Sequence, residues 1–392
     1  MKPELLAPAG DIEKARFALL YGADAIYIGA KEFSLRARAT GFSMDEICEI
    51  TNFAHLLGKK VYIALNNIMH DDDLQNLDNF IKKLVDISLD AIIASDPYVI
   101  EQVRRITNIP IHLSTQMSVA NSVLCNYWQK QGVERIVLAR ELGMDEIRSL
   151  RNKATSEIEV FIHGGMCSSY SGRCLLSETM TGRDANRGDC AHSCRWEYEL
   201  YHDGHLVADD FLIASRDLSS VRQIPELMEI GVDALKIEGR MKSIHYVATI
   251  TNAYRNLIDD VLKGIPVDFA KYEKAIAKAE NRSSGPAFLA GVNPEAMQIH
   301  ADDDKFPEQD FSAVVRGSID GKTIIEQRNR FSPGDILELF SPDGRNGSFK
   351  VQKITDEFGN VIDVANHPMQ KLYLDIPFAT QPYDIFRRLD QS

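Results

Sequence analysis

Four segments of the chain repeat one pattern of apolar and polar positions: Gly22-Ala-Asp-Ala-Ile-Tyr-Ile, Leu89-Asp-Ala-Ile-Ile-Ala, Gly132-Val-Glu-Arg-Ile-Val-Leu and Gly231-Val-Asp-Ala-Leu-Lys-Ile. Each follows a stretch of helical periodicity and reads as a helix stop, a tight turn and a buried strand. Glycine at the helix end supplies a left-handed cap, and the unbroken apolar run after it fits a parallel strand covered on both faces. Strands are predicted at Leu5 to Pro8, Ala25 to Gly29, Val61 to Asn66, Ala91 to Ser95, Ile111 to Thr115, Arg135 to Ala139, Glu159 to His163 and Leu235 to Glu238. Eight strands alternating with helices predict an α/β fold, a (β/α)8 TIM-like barrel. A doubly wound open sheet is the alternative, but no Gly-x-Gly-x-x-Gly follows the first strand, so a dinucleotide fold has little support.

Polar residues close these apolar runs: Lys31, Asn66 and Asn67, Asp96, Gln116, Arg140 and Glu141, His163, and Glu238 with Arg240. In a barrel they converge on the C-terminal face, where this fold builds its active sites. Any one of them is equally well explained as a residue that merely ends a buried strand. It is their joint presence that points to a site.

One connection is abnormally long. About seventy residues separate the seventh and eighth strands, where a short loop and one helix would suffice, and an insertion of that length usually has a function. Its Cys-rich part spans about 165–215, and Tyr198 to Val207, with Asp203-Gly204 at the centre, reads as a β-hairpin. Ser243 to Lys263 and Phe269 to Glu280 read as helices that finish a barrel domain of residues 1–282. Residues 283–310 have linker composition, with Ser-Ser-Gly-Pro and an acidic run from Ala301 to Asp310. In residues 311–392, short strands at Ser312 to Gly317, Thr323 to Gln327, Ile336 to Phe340 and Phe349 to Ile354 predict a small β-barrel or sandwich.

Composition narrows the class. At 392 residues and 44% apolar content the chain can bury a large core and a satellite. A formal charge of −13 argues against a generally basic, nucleic-acid-binding surface, so a nucleic-acid partner needs a local basic patch. No apolar signal core opens the chain and no run is long enough to span a membrane, which predicts a cytoplasmic protein with no membrane partner.

Four of the six cysteines fall together, at Cys167, Cys174, Cys190 and Cys194 inside the insertion. Thiolates are soft, strong ligands, and four converging on one point complete a first shell for zinc or an iron-sulfur cluster. The spacing matches neither paired Cys-x2-Cys ribbons nor a Cys-x3-Cys-x2-Cys run. A pair of disulfides and four unrelated buried thiols are the bland alternatives, and disulfides are disfavoured in a reducing compartment. Cys48 and Cys125 lie in helical patterns, where inert buried thiols are expected.

The run Glu159-Val-Phe-Ile-His163-Gly-Gly-Met-Cys167-Ser-Ser-Tyr-Ser-Gly-Arg-Cys174-Leu-Leu-Ser177 resembles the signature of collagenase-like peptidase family thirty-two, of unknown catalytic type. It departs at Gly165, where the family pattern prefers serine or alanine. Further similarity lies in Glu4-Leu-Leu-Ala-Pro-Ala-Gly-Asp, Tyr27-Ile-Gly, Cys190-x3-Cys194-Arg-Trp-Glu-Tyr and Leu235-Lys-Ile-Glu-Gly-Arg-Met-Lys. In length and layout the chain is most similar to the prephenate-dependent branch that hydroxylates the tRNA wobble uridine to 5-hydroxyuridine. A sister branch hydroxylates a cytidine of ribosomal RNA, and shorter relatives assist ubiquinone hydroxylation.

The resemblance implies that Cys167, Cys174, Cys190 and Cys194 hold an iron-sulfur cluster of the 4Fe-4S type, with zinc as the alternative metal. It implies prephenate as a co-substrate supplying the oxygen atom, the anticodon loop of tRNA as partner, and room for a paralogous partner subunit. A dicarboxylate calls for guanidinium forks, for which Arg36, Arg38, Arg140 and Arg240 are candidates. His163, Glu238 and Arg240 are candidate catalytic groups, and Tyr170 and Arg173 candidate RNA contacts in a stretch that also carries Arg183, Arg187, Arg195 and Trp196. Trp196 and Tyr198 read equally as core of the hairpin, and the arginines as partners of Glu178, Asp184 and Asp189. The peptidase label has weaker direct support: there is no His-Glu-x-x-His and no Gly-x-Ser-x-Gly, which leaves only Cys167 near His163 or His192 as a nucleophile and base. A noncatalytic zinc-stabilised module is the remaining alternative, as is hydroxylation of another RNA or a small aromatic substrate.

Overall fold

The computed structural model describes residues 2–31, 33, 41–280, 282–293, 297 and 310–389. The chain divides into two compact units, with boundaries near residues 275–279 and 305–306.

Among the described residues the first unit contains strands β1 (Glu4–Pro8), β2 (Ala25–Gly29), β3 (Lys60–Leu65), β4 (Ala91–Ala94), β5 (Ile111–Leu113), β6 (Arg135–Val137), β7 (Glu157–Gly164), β8 (Tyr198–His202), β9 (His205–Phe211), β10 (Asp217–Ser219), β11 (Ala234–Ile237) and β12 (Ser284–Gly285). Strands β1 to β7 pair in sequence order, all parallel, and β11 pairs with both β1 and β7. That last pairing closes an eight-stranded parallel barrel. Every residue of β2, β4, β5, β6 and β11 is buried, as the unbroken apolar runs required.

Helices α1 (Ile12–Leu20), α2 (Met44–Leu56), α3 (Leu77–Val85), α4 (Pro97–Ile106), α5 (Ser122–Lys130) and α6 (Met144–Arg151) alternate with the first strands; α7 (Leu176–Thr181) lies in the insertion, and α8 (Ile224–Ile230), α9 (Ile244–Leu262) and α10 (Phe269–Ala277) follow it. Local chemistry sets their ends. Ser43 and Glu46 form a capping box at α2, and Ser243 caps α9. Gly231 ends α8 with a φ of 83° before the chain turns into β11. Asp96 caps α4 by accepting from the Tyr98 N–H, which accounts for its place at a strand end without any role in a site.

Before β11 the insertion returns to the barrel through β10, which runs antiparallel to β7 and parallel to β12. The predicted hairpin is present and longer than expected: β8 and β9 flank Asp203 and Gly204, both with positive φ, and continue to Phe211. The start of the expected linker is structured as well. Ser284–Gly285 form β12, and a 3-10 turn at Ala287–Ala290 buries Leu289.

The second unit is an antiparallel sheet of β13 (Phe311–Ile319), β14 (Lys322–Gln327), β15 (Ile336–Phe340), β16 (Ser348–Lys350), β17 (Ile354–Asp356), β18 (Val361–Ile362), β19 (Lys371–Leu374) and β20 (Ile385–Leu389). Its order is β16-β15-β20-β13-β14-β19-β17-β18. Side chains from these strands, including Val315, Ile325, Leu337, Phe349, Leu372 and Phe386, share one core. The predicted strand at Phe349 to Ile354 is two strands, β16 and β17, and the last three strands escaped prediction. Among the described residues no helix is long and apolar enough to cross a membrane.

Candidate functional site

A cavity of about 650 Å³ opens where the barrel strands end. Its floor is made by inward-facing strand residues, among them Tyr27, Ala64, Ile93, Val137, Phe161 and Lys236, and its wall by Gly165–Ser168, Cys174, Arg183, Gly188–Cys190, His192–Arg195 and Glu238–Lys242. The long insertion therefore forms one side of the mouth.

Strand ends hold that insertion in place. Gly164 ends β7 with a φ of 104°, and a Cβ there would stand 2.3 Å from the Glu238 carbonyl oxygen, so only glycine lets the ends of β7 and β11 approach this closely. Arg140 stacks 3.7 Å from the Phe161 ring and donates from Nη1 to the Gly165 carbonyl at 2.7 Å. Glu141 accepts from the Ser171 N–H at 2.6 Å, where Ser171 holds a left-handed conformation. Asn186 and Cys174 exchange two hydrogen bonds, and Ala191 N–H donates to Ser177 Oγ at 2.9 Å. Arg183 pairs with Asp189 and Arg187 with Asp73, both at 2.9 Å.

None of the six cysteines is in a disulfide, and Cys167, Cys174, Cys190 and Cys194 all line the cavity. The Cys167 and Cys190 sulfurs accept backbone N–H donors two residues on, from Ser169 and His192, each at 3.4 Å. Such donors stabilise thiolates and tune sulfur-bound metal centres. Among the described residues no three His, Cys, Asp or Glu side chains gather as ligands of a single ion. A tetrahedral zinc requires sulfurs about 3.8 Å apart, given Zn–S bonds of about 2.3 Å. A cluster, by contrast, places each thiolate on a different iron and spreads the sulfurs further. Four cysteines lining one cavity are a donor set that either centre accepts.

The wall is cationic. Arg140, Arg183, Arg195, Lys236, Arg240, Lys242 and Arg282 line the cavity against Asp189 and Glu238. Lys236 stands on β11 with its Nζ 2.7 Å from Glu159 and 4.6 Å from the centre of the Tyr27 ring. Burial lowers its ammonium and Glu159 opposes that shift; the balance is downward. Asp217, at the start of β10, is 6% exposed and has three cations around it, Lys242 at 3.7 Å and Arg195 and Arg282 at 3.9 Å. Burial pushes its carboxyl up against the pull of Lys242 and Arg195.

His163 does not reach the cavity. The pairing of β7 with β11 shifts register between Lys236 and Ile237, so that Lys236 faces Phe161 but Ile237 faces His163. This irregularity skips Ile162 and turns His163 out through the barrel wall, where its Nδ1 lies 3.3 Å from the Tyr254 hydroxyl on α9. Burial, with Lys242 adding to it, holds the imidazole down to about 3, while burial raises the Glu280 carboxyl to about 7. At neutral pH His163 is uncharged, and its 3.8 Å approach to Glu280 is not an ion pair. The structure thus places the His163 side chain behind the cavity and not on its wall.

Of the other sequence candidates, Glu238, Arg140 and Arg240 line the cavity. Arg140 uses part of its donor capacity on the insertion backbone. Tyr170 and Arg173 are exposed and stand off the cavity wall. Trp196 is 42% exposed, so it is not the core residue that the hairpin pattern suggested. Arg36 and Arg38 lie outside the described residues. Sequence reasoning gave no role to Lys236, Asp217, Lys242 or Arg282. A lysine inside an apolar strand was the one visible signal; the other three meet from segments far apart in the chain.

Residues 10–298 match the model of Peptidase family U32, and residues 307–387 that of the Peptidase family U32 C-terminal domain. The chain is 41% identical over 401 residues to tRNA hydroxylation protein P1 of Bacillus subtilis, covering 99% of this chain and 95% of that protein. It is 40% identical over 262 residues to the 23S rRNA 5-hydroxycytidine C2501 synthase of Escherichia coli, covering 66% of this chain and 40% of that protein. It is also 30% identical over 306 residues to a collagenase of Porphyromonas gingivalis, covering 74% of this chain and 73% of that protein. With its barrel and its C-terminal sheet both matched, the chain belongs to peptidase family U32.

Proposed function

We propose that this protein is an RNA hydroxylase, an iron-sulfur enzyme that converts the wobble uridine of tRNA to 5-hydroxyuridine without molecular oxygen, with prephenate as co-substrate. The observation that carries the reading is a single cavity at the barrel mouth whose wall combines four thiols with an excess of cations. Similarity along nearly the whole chain to a relative named for tRNA hydroxylation supports the choice of substrate.

Replacing C5–H of uridine by C5–OH takes two electrons from the ring and adds one oxygen, and both balance when prephenate gives up an oxygen atom and is itself reduced by two electrons. A cluster held by Cys167, Cys174, Cys190 and Cys194 would supply the electron transfer. The chain's own residues bind and orient. The local cationic wall answers the objection raised by a charge of −13, because phosphate and carboxylate groups meet positive charge where they bind. Tyr170 and Trp196, 56% and 42% exposed, offer ring faces for unstacked bases near the insertion. Phe161, Tyr27 and Ile93 give the floor an apolar surface for a pyrimidine ring, and Glu238 is the carboxylate on the wall nearest to β11.

Purification without oxygen tests the metal. A brown protein with iron and acid-labile sulfide is expected; a colourless, iron-free protein prepared this way refutes the reading. The similarity to a collagenase keeps a peptidase as the second reading. That reading needs a cysteine–histidine pair; His163 is turned away from the cavity that Cys167 lines, which leaves His192, on the cavity wall, as the candidate base. Gelatin hydrolysis that survives removal of iron and disappears in Cys167→Ser would favour it.

A further inference from the structure

Three cations reach Asp217 from separate parts of the chain: Arg195 from the insertion, Lys242 from the turn after β11, and Arg282 from beyond α10. None comes within hydrogen-bond distance in these pairs, the separations being 3.7 to 3.9 Å, and the buried Oδ1 of Asp217 has no hydrogen-bond partner. Asp217, even with Glu238 as a second carboxylate on this wall, cannot satisfy three cationic side chains that carry up to five donors each. Asp217 instead holds them around a common point with donors to spare. Gly165 leaves that point uncovered: a Cβ there would stand 3.5 Å from both Arg195 Nη2 and Glu238 Oε2 and 3.8 Å from Asp217 Oδ1. The side chains of Arg195, Lys242 and Arg282 are 21%, 19% and 33% exposed, so they sit within the cavity and not out on its rim.

We propose that Arg195, Lys242 and Arg282 form a cradle for a small dicarboxylic acid, with Asp217 as the residue that positions them. Two guanidinium forks each match one carboxylate bidentately, and the ammonium adds a point charge between them. The recessed position favours a small molecule over the phosphates of an RNA backbone. The inference deepens the proposed function and rests on it for the identity of the acid.

Calorimetric titration of the full chain, purified without oxygen, with prephenate and with unreactive malonate tests it. Saturable one-to-one binding of at least one acid is expected, weakened about tenfold or more in Lys242→Gln and in Arg282→Gln, as loss of a charge-assisted contact implies. Arg222→Gln, on a surface pair with Glu273, should bind as the unaltered protein does. Melting temperature and iron content establish that the variants are folded, and Lys242→Gln alone decides if Arg282→Gln is not. Binding of neither acid, or unchanged binding in the folded variants, overturns the cradle. So does loss of affinity for an anticodon stem-loop RNA with dicarboxylate binding intact, which would assign these cations to phosphate. If the variants lose dicarboxylate binding but tRNA hydroxylation proves independent of this protein, the cradle stands and the proposed function falls.

Discussion

The barrel interior and the barrel mouth are built from the same residue types and differ in how their charges are matched. Inside, Arg135 meets Glu4 at 2.6 Å and Glu157 at 2.8 Å, Lys236 meets Glu159 at 2.7 Å, and the Tyr62 hydroxyl bonds Glu4 at 2.8 Å. Arg135 and Glu159 are almost wholly enclosed, yet each has a partner of opposite sign. At the mouth, cations outnumber carboxylates, and the three around Asp217 stand off at 3.7 to 3.9 Å. A closed network is finished as a structure, whereas an unbalanced one waits for an anion. The first supports the fold and the second is shaped for a ligand, with Lys236 at the junction.

Changes that break this contrast should differ in kind. The largest effect is expected at the mouth: Cys174→Ser should abolish cluster binding and RNA hydroxylation, measured by iron content and by nucleoside analysis. Next comes the interior, where Arg135→Met takes one partner from Glu4 and one from Glu159 but leaves Lys60 on the first and Lys236 on the second. Losing these charge-assisted contacts should cost about 1.5–3 kcal/mol in urea unfolding of the barrel unit. Lys242→Gln, at the mouth, should change stability by about 1 kcal/mol or less, because it relieves as much repulsion as it loses attraction.

The behaviour with pH sharpens the boundary between the two regions. His163, lowered to about 3 from an ordinary 6.5, stays neutral when folded but takes up a proton when unfolded, so it costs stability as pH falls below 6.5. Glu280, raised to about 7 from 4.5, holds its proton more tightly when folded, so its contribution is full below 4.5 and is lost as pH rises through 7. Between pH 6.5 and 4.5 the two trends oppose one another. Glu280→Gln should expose the histidine's dependence, steepening the acid-side loss by up to about 1.4 kcal/mol per pH unit. An unchanged slope in urea unfolding between pH 4.5 and 6.5 would contradict the shift assigned to Glu280.

The barrel strands were legible to within about two residues because parallel strands buried on both faces leave continuous apolar runs. The insertion and its cysteines were legible because length and ligand type stand out locally. His163 was misplaced for a definite reason: its distance from Cys167 along the chain is short, but the register shift opposite Ile237 sends its side chain to the other face of β7. No sequence pattern marks that shift. The cation cluster was equally hidden, since Arg195, Asp217, Lys242 and Arg282 meet only after β10 and β12 have paired. In the C-terminal unit the short strands β18 and β19 carry too few alternating positions to stand out from turns.

The central claim, that the thiol-lined cavity carries out tRNA hydroxylation, is tested most directly by mass spectrometry of tRNA nucleosides. The host should lack its own wobble-uridine hydroxylases and be complemented with this chain or with its Cys174→Ser variant. The account predicts 5-hydroxyuridine derivatives with the unaltered chain and none with the variant. Their absence with the unaltered chain, or their presence with the iron-free variant, would contradict it.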